Sequence, residues 1–175
     1  MQLKDHMRTI PDYPKPGIMF RDVTTLMGHK AAFEQAVDEM AEPWRERRID
    51  LVAGIEARGF IFGGALAIAL KAGFLPLRKP GKLPAETVSC TYNLEYGTDE
   101  LEMHKDAAPR GARILLVDDL IATGGTAEAA LQLLRGDGAT LIGAGFLVDL
   151  PDLGGSARLK AQNIHVEAVL SYEGH

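Results

Sequence analysis

The chain has 175 residues, a formal net charge of −5 at pH 7 and a single cysteine, Cys90. Hydrophobic residues make up 46% and charged residues 25%, which is ordinary for a globular domain and excludes an intrinsically disordered chain. The acidic balance weighs against a nucleic-acid-binding protein, which needs a broad basic face. One cysteine excludes an intrachain disulfide and a cysteine-based metal site, and it fits a reducing compartment.

Membrane insertion is not expected from the hydropathy pattern. The longest uncharged stretch, residues 59–70, has 12 residues, too few for a helix that crosses a bilayer. The first residues are polar and lack the apolar centre of a signal peptide. We therefore expect a cytoplasmic protein without a membrane partner.

The N-terminal segment is rich in proline. Three prolines within residues 10–17 are incompatible with a regular helix or a central strand, so residues 1–30 are predicted to form an extended arm, or hood. Apolar residues at three- and four-residue steps then predict an amphipathic helix from Ala31 to Arg48. Pro43 should bend or end this helix.

The next elements alternate between strand and helix. Asp50–Ile55 and Phe74–Arg78 are predicted strands, and the apolar segment Phe60–Lys71 between them is a predicted helix. From residue 79 to residue 106 the composition changes to Gly, Pro, Ser, Thr and Glu with short alternation of apolar residues. This pattern predicts a flexible β-flap.

The alternation continues to the end of the chain. The segment Arg113–Val117 is the strongest buried-strand signal, and it is predicted to run into a loop of acidic and small residues. A helix over Thr126–Arg135 and strands over Thr140–Val148 and His165–Leu170 follow. Strand–helix alternation predicts an α/β fold, with a central, mostly parallel twisted sheet flanked by helices, in a single domain over residues 1–175.

Ligands of open α/β sheets bind beyond the carboxyl ends of the strands, and two such ends carry unusual loops, residues 55–59 and 117–126. In the second, Thr123-Gly124-Gly125-Thr126 stands between a strand and a helix. Glycines let backbone N–H groups approach an anion, and the helix dipole favours negative charge, so this loop predicts a phosphate cradle. The alternative is an ordinary strand-to-helix turn with an aspartate cap.

Asp118 and Asp119 precede this cradle and would repel the same phosphate. Ribose hydroxyls, which donate hydrogen bonds to carboxylates, or a magnesium ion would suit them better. A phosphate cradle beside a diol or metal site describes the recognition of a 5-phosphoribosyl group.

Residues 114–126, ILLVDDLIATGGT, resemble the phosphoribosyl-diphosphate signature of the type I phosphoribosyltransferases. The Asp-Asp-Leu version is similar to that of the members that act on adenine; relatives that act on hypoxanthine, guanine or orotate generally carry Glu-Asp. Four other stretches resemble the family in the same order, covering about residues 10–150: the hood at 11–22, the diphosphate loop at 54–63, and the catalytic loop at 78–84 and 92–97.

The resemblance implies transfer of the 5-phosphoribosyl group from 5-phosphoribosyl diphosphate to adenine, giving AMP and diphosphate. It also implies Mg²⁺ held mainly by the substrate rather than by protein ligands, and a homodimer. The phosphoribosyl group would be bound by Asp118, Asp119, Ala122, Thr123, Gly124, Gly125 and Thr126.

Other roles follow from the same resemblance. The diphosphate would be bound by Glu56, Ala57, Arg58, Arg78, Lys79 and Lys82, although Ala57 lacks the hydroxyl that many relatives have there. The base would be bound by Met19, Phe20, Arg21 and Leu120. Glu95, in the flap, would be the acid/base residue near the imidazole ring of the base once the loop closes.

Alternatives remain open from the sequence. The enzyme could use another purine base, or the chain could be a non-catalytic regulator or structural subunit that binds the phosphoribosyl group. Taken alone, the flap cations fit a solvated loop, Phe20 fits core packing, and Arg21 and Asp22 could pair with each other as a structural brace.

Overall fold

Parallel strands and the helices between them dominate this computed structural model, which describes residues 1–94, 97–136 and 138–174. The strands are β1 (Arg8–Pro11), β2 (Met19–Asp22), β3 (Leu51–Ile55), β4 (Gly73–Leu77), β5 (Thr87–Asn93), β6 (Thr98–His104), β7 (Arg113–Ile121), β8 (Thr140–Asp149) and β9 (Val166–Ser171). The α-helices are α1 (Thr24–Met27), α2 (Lys30–Ala41), α3 (Arg58–Ala69), α4 (Gly125–Arg135) and α5 (Gly155–Ala161).

The central sheet has five strands in the order β4-β3-β7-β8-β9, and each neighbouring pair is parallel. Helices cover both faces. Ala130, Leu134 and Leu159 of α4 and α5 pack in one core cluster, while Met40 and Leu66 of α2 and α3 pack in the other. The predicted α/β fold with a parallel sheet is confirmed, and burial on both faces explains the near-continuous apolar runs of the strands.

Strand β7 is longer than predicted. It was expected to end at Val117, but it continues through the two aspartates to Ile121, because Leu120 and Ile121 still pair with Val148 and Asp149 of β8. The charges of Asp118 and Asp119 suggested a loop, yet the pairing with β8 holds the backbone extended. The acidic pair therefore lies within the strand.

Helix boundaries differ from the predicted ones in three places. Helix α2 ends at Ala41 and not at Arg48 as predicted, because a 3₁₀ turn that contains Pro43 follows it, so the predicted break at Pro43 is confirmed. Helix α3 begins at Arg58, which places this arginine in the first helical turn rather than in a preceding loop. The short helix α5 was not predicted, because its glycine-rich start and seven residues give little periodic signal.

The hood is an antiparallel hairpin outside the central sheet. Strands β1 and β2 pair with Ile10 opposite Phe20 and Thr9 opposite Arg21. The hood region is fastened to the carboxyl edge of the sheet, because Lys4 Nζ donates a 2.6 Å hydrogen bond to the carbonyl oxygen of Ser171. The proline-rich segment thus forms the turn of a two-stranded hairpin.

The flap is a second antiparallel ribbon, formed by β5 and β6 with Cys90 opposite Leu101. Its base joins the sheet through a bridge between Arg78 and Glu102. Leu101 and Met103 are buried in the core cluster that includes α4. The expected β-structure is present in Thr87–Asn93 and Thr98–His104, and the flexibility of the flap stays a prediction.

Helices long and apolar enough to cross a membrane do not occur among the residues that the structure describes.

Candidate active site

A pocket of about 190 Å³ opens at the carboxyl end of β7. It is lined by Asp118, residues 120–127 and Phe146. Every residue predicted to bind the phosphoribosyl group lines this pocket except Asp119. The first turn of α4 contributes Gly125, Thr126 and Ala127, so the positive end of the helix dipole lies beside the pocket.

Close backbone packing shapes the phosphate loop, residues 122–126. Gly124 has φ +91°, and a Cβ there would stand 2.9 Å from Cα of Gly155. A side chain at Gly124 would therefore strain the backbone and push against α5. The N–H of Gly155 also donates a 2.9 Å hydrogen bond to the carbonyl of Ala122, so a helix that the sequence analysis missed supports the predicted cradle.

The two aspartates point in different directions, as neighbours on a strand do. Asp118 lines the pocket, and its Oδ1 accepts a 2.9 Å hydrogen bond from the backbone N–H of Asp119. The buried Asp119 accepts a 2.5 Å hydrogen bond at Oδ2 from Arg58 Nε. One carboxylate therefore faces the proposed sugar site, and the other anchors a cation.

Burial raises the pKa of Asp118 well above its ordinary value, and the negative charge of Asp119 raises it further. The same Asp119 carboxylate, through its hydrogen bond, raises the pKa of Arg58. A positive charge that develops in the pocket would stabilise the ionised form of Asp118.

The diphosphate loop touches the end of β7. A Cβ on Gly59 would lie 2.7 Å from Oδ1 of Asp118 and 3.3 Å from the carbonyl oxygen of Val117. Only glycine allows the first turn of α3 to approach the strand this closely. The two polar loops predicted from the sequence therefore meet at one edge of the sheet.

Glu56 pairs with two of the four predicted diphosphate cations, Arg78 and Lys82. Its Oε1 accepts hydrogen bonds from the Lys79 backbone N–H at 2.8 Å and from Arg78 Nε at 3.3 Å, and its Oε2 accepts one from Lys82 Nζ at 2.5 Å. Burial alone would raise the pKa of Glu56, but the hydrogen bonds from Lys82 and Lys79 and the nearby cationic charges lower it. Glu56 thus holds the cations in place as an acceptor.

Lys79 has different side-chain partners. Its ammonium group donates to Tyr92 Oη at 2.6 Å and forms an ion pair with Asp99 of the flap. Although burial alone would lower it, the bonds to Asp99 and Tyr92 raise the pKa of Lys79. All four predicted cations are ion-paired, and Arg58 and Lys82 keep about half of their side-chain surface exposed (50% and 45%).

The predicted base-binding residues lie on two elements. Met19, Phe20 and Arg21 belong to β2, and Leu120 belongs to β7, where it lines the 190 Å³ pocket. The ring of Phe20 meets that of Tyr13 edge-on, with 5.1 Å between the ring centroids.

Arg21 and Asp22 do not pair with each other, so that alternative is wrong. Arg21 donates a 2.9 Å hydrogen bond to Thr9 Oγ1 and stacks 4.2 Å above the ring of Tyr172. Asp22 forms a 2.5 Å ion pair with Arg8 instead. Adjacent residues of a strand point to opposite faces, so this pairing was geometrically unfavourable from the start.

Some predicted chemistry is not placed by the structure. Glu95 lies outside the described residues, and its role stays a prediction. Among the residues that are described, no group of three or more His, Cys, Asp or Glu side chains could hold a metal ion.

The Cys90 thiol donates to Oε1 of Gln132 at 3.1 Å, a bond between the flap and α4.

The fold and the two loops at its carboxyl edge define a phosphoribosyltransferase: the family described as phosphoribosyl transferase domain matches residues 27–167. The adenine phosphoribosyltransferase of Bradyrhizobium sp. (strain BTAi1) is 62% identical over 175 residues, covering 100% of this chain and 98% of that protein. The Brucella ovis adenine phosphoribosyltransferase is 62% identical over 172 residues, covering 98% of this chain and 95% of that protein.

Solved structures agree. Adenine phosphoribosyltransferase from Rhodothermus marinus superposes with a TM-score of 0.91 at 49% identity, covering 97% of this chain and 96% of that chain. The Saccharomyces cerevisiae protein, complexed with an imino-altritol bisphosphate and adenine, has a TM-score of 0.89 at 40% identity, with 96% of each chain covered. The chain belongs to the adenine phosphoribosyltransferases.

Proposed function

We propose that the protein transfers the 5-phosphoribosyl group of 5-phosphoribosyl diphosphate to adenine, releasing AMP and diphosphate. The observation that carries this proposal is the glycine-built pocket at the end of β7, with Asp118 in its wall, in a chain that is 62% identical to an adenine phosphoribosyltransferase. The Saccharomyces cerevisiae relative, crystallised with adenine and a sugar-like bisphosphate, supports the choice of substrates.

The phosphate loop would bind the 5′-phosphate. Backbone N–H groups of Ala122 to Thr126, the threonine hydroxyls and the dipole of α4 supply donors without a cationic side chain. A pocket of about 190 Å³ is small enough to surround such a group.

The acidic pair would bind the ribose 2′- and 3′-hydroxyls and stabilise the transition state. As diphosphate leaves, the anomeric carbon gains positive charge, and a preorganised carboxylate in a water-poor site stabilises this charge. Asp118 is the better placed of the two, because it lines the pocket. Asp119 would act chiefly through its ion pair with Arg58.

The leaving diphosphate would be bound by Arg58, Arg78, Lys79 and Lys82, next to Glu56 and Ala57. These cations are ion-paired with Asp119, Glu56 and Asp99, so binding would exchange a carboxylate partner for a phosphate oxygen. Both are anionic oxygen acceptors that suit guanidinium and ammonium donors. Before substrate arrives, the carboxylate partners keep the cations in place.

The residues present fit a substrate-held Mg²⁺. This ion commonly uses one or two carboxylates together with substrate phosphate oxygens, and it needs no complete protein cage. Asp118 is a carboxylate in the wall of the pocket. When bound, Mg²⁺ would neutralise negative charge on the diphosphate group.

The base would lie between Phe20 and Leu120, with backbone groups of Met19 and Arg21 reading its edge. Glu95 would then assist loss of the N9 proton, directly or through a contact at N7, once the flap closes and excludes water. Glu95→Gln is expected to lower kcat with adenine, and unchanged kcat would remove the catalytic role.

We further propose that residues 1–175 act as one domain, with a hood over residues 1–30 and a flap over residues 79–106, in a cytoplasmic homodimer. The side chains of Ile61, Ile68 and Phe74 on α3 and the edge strand β4 are 45%, 81% and 37% exposed. Exposed apolar side chains of this kind favour an interface. Ile68→Glu should shift the molecular mass measured by light scattering from dimer to monomer.

The test of the activity is an assay of purified protein with Mg²⁺, 5-phosphoribosyl diphosphate and, in turn, adenine, hypoxanthine, guanine, xanthine and orotate. Formation of AMP alone is expected. A different nucleotide would keep the sugar site and overturn the assignment of the base site. Binding of 5-phosphoribosyl diphosphate without any product would indicate a regulator.

A further inference from the structure

Helix α5 holds two consecutive carbonyl groups of the phosphate loop. The carbonyl of Ala122 accepts a 2.9 Å hydrogen bond from the N–H of Gly155, the first residue of α5. The next carbonyl, that of Thr123, accepts a 2.9 Å hydrogen bond from the guanidinium of Arg158. These bonds lie on the side of the loop that faces α5.

Peptide geometry transmits this constraint to the opposite side of the loop. In a planar trans peptide the C=O of one residue and the N–H of the next point in opposite directions. Because the carbonyl of Thr123 is turned toward the guanidinium of Arg158, the N–H of Gly124 points away from that guanidinium. Gly124 lines the 190 Å³ pocket and Arg158 does not, so we infer that this N–H lies on the pocket side.

Arg158 is itself held in place. Its second terminal nitrogen forms an ion pair with Oε2 of Glu128 on α4, and Oε1 of Glu128 accepts a 2.6 Å hydrogen bond from Gln162. The backbone N–H of Glu128 donates a 2.9 Å hydrogen bond to the carbonyl of Gly124. The guanidinium of Arg158 on α5 is therefore held by contacts with both α4 and the loop.

We propose that Arg158 is a positioning residue for binding of the 5-phosphoribosyl group. It holds the Thr123 carbonyl and thereby aims the Gly124 N–H at the phosphate from outside the lining of the 190 Å³ pocket. The inference rests on the proposed function, because it takes residues 122–126 as the phosphate cradle.

A direct electrostatic role for Arg158 is the rival explanation. Its positive charge is already balanced by Glu128, and half of its side chain is exposed, so its long-range attraction for a phosphate is weak and screened by salt. A positioning role acts through local hydrogen bonds, and its effect should persist at high ionic strength.

The experiment compares wild type with Arg158→Met, which keeps much of the side-chain volume but removes the donors. Lys160→Met is the matched control, because it removes a positive charge from an exposed position on the same helix. Calorimetry measures binding of ribose 5-phosphate and of inorganic diphosphate at 50 mM and 500 mM salt. Steady-state kinetics give KM for adenine, and thermal unfolding checks the fold.

Arg158→Met is expected to weaken ribose 5-phosphate binding about tenfold at both salt concentrations, the cost of a misaligned hydrogen bond to a charged group. Diphosphate affinity and KM for adenine should stay within about twofold of wild type. Arg158→Lys keeps the charge and one donor group, so a loss of about threefold is expected. If Arg158→Met does not fold, the same measurements are compared between wild type and Arg158→Lys.

Equal ribose 5-phosphate affinity in wild type and variant would overturn the positioning role. So would a loss that disappears at 500 mM salt, or an equal loss for both ligands, which indicates general destabilisation. If wild type makes AMP under these outcomes, the proposed function stands without this role for Arg158. If wild type neither makes AMP nor binds ribose 5-phosphate, the proposed function fails and the inference fails with it.

Discussion

The two ends of the candidate active site differ in the chemical groups that form them. The phosphate end consists of backbone: a glycine at φ +91° packed against α5, with two carbonyl groups held from behind. The diphosphate end consists of charged side chains, whose carboxylate partners Glu56 and Asp99 come from the diphosphate loop and the flap.

This difference has a consequence for binding. Backbone donors cannot change partner without moving the loop, so the phosphate end is preorganised. The conformational entropy of the loop is lost when the protein folds and not when the ligand binds. The side-chain cations are paired with carboxylates, which substrate displaces in the proposed function, so the diphosphate end can exchange one acceptor for another. The proposed site therefore combines a fixed anchor made of backbone with cationic side chains that can change partner. Such an arrangement would retain a phosphoribosyl group while its leaving group departs.

The largest expected effect lies where the two ends meet. The double change Asp118→Asn and Asp119→Asn should leave a folded protein with kcat reduced about a thousandfold, because it removes the carboxylates that we propose to stabilise the transition-state charge. AMP formation and thermal unfolding measure the two quantities. Asp152→Asn, an exposed position, is the control, and wild-type turnover in the double variant would contradict the assigned role.

The second prediction breaks the fixed anchor. Gly124→Ala places a Cβ 2.9 Å from Cα of Gly155. Gly154 has a similar φ of +85°, but a Cβ built on it would meet no atom within 4 Å. Both alanines strain the backbone by about 1 kcal/mol, but only Gly124→Ala displaces the phosphate loop.

Accordingly, kcat/KM for 5-phosphoribosyl diphosphate should fall about a hundredfold in Gly124→Ala, as small misplacements of binding groups do. It should stay near the wild-type value in Gly154→Ala. Similar kinetics in the two variants would show that strain, and not crowding against α5, limits this position.

The third prediction compares the two ends directly by salt. Raising the salt concentration from 50 mM to 500 mM should weaken inorganic diphosphate binding about tenfold, because half-exposed ion pairs are screened. Ribose 5-phosphate, for which we propose short contacts with backbone N–H groups, should lose only about threefold in affinity. Titration calorimetry measures both, and equal salt dependence would mean that the two ends do not differ in this way.

The smallest expected effect concerns stability of the hood. Hydrogen bonds from Thr24, with the Arg8 ion pair, lower the pKa of Asp22 from 3.8 to about 2. A carboxyl whose pKa is lower in the folded state stabilises above its unfolded pKa, and this contribution disappears as the pH falls through the folded pKa.

Wild type should therefore be more stable than Asp22→Asn by about 1 kcal/mol above pH 5. The difference should shrink between pH 4 and pH 2, as urea unfolding at each pH will measure. Arg8→Met keeps the Thr24 bonds and should reproduce part of the loss. A pH-independent difference would assign the effect to packing rather than to charge.

Local sequence patterns predicted most of the secondary structure. The apolar run Arg113–Val117, the periodic segment before Pro43 and the glycines of the phosphate loop each carry their structural information within a few residues. The predicted sheet, the flanking helices and the composition of the 190 Å³ pocket follow from such patterns. The end of β7 and the helix α5 did not, because pairing with β8 and packing against Gly124 involve residues that are distant in the sequence.

The sequence alone thus determined the α/β fold, the phosphate loop and the resemblance to phosphoribosyltransferases, because hydrophobic periodicity and glycine-rich turns are local properties. Only the tertiary structure decided that Asp118 lines the pocket while Asp119 pairs with Arg58. It also decided that Glu56 pairs with Arg78 and Lys82, and that Arg158 donates to the loop. A hydrogen bond depends on direction and on a distance of about 3 Å between chain segments. Such geometry arises only when the chain has folded.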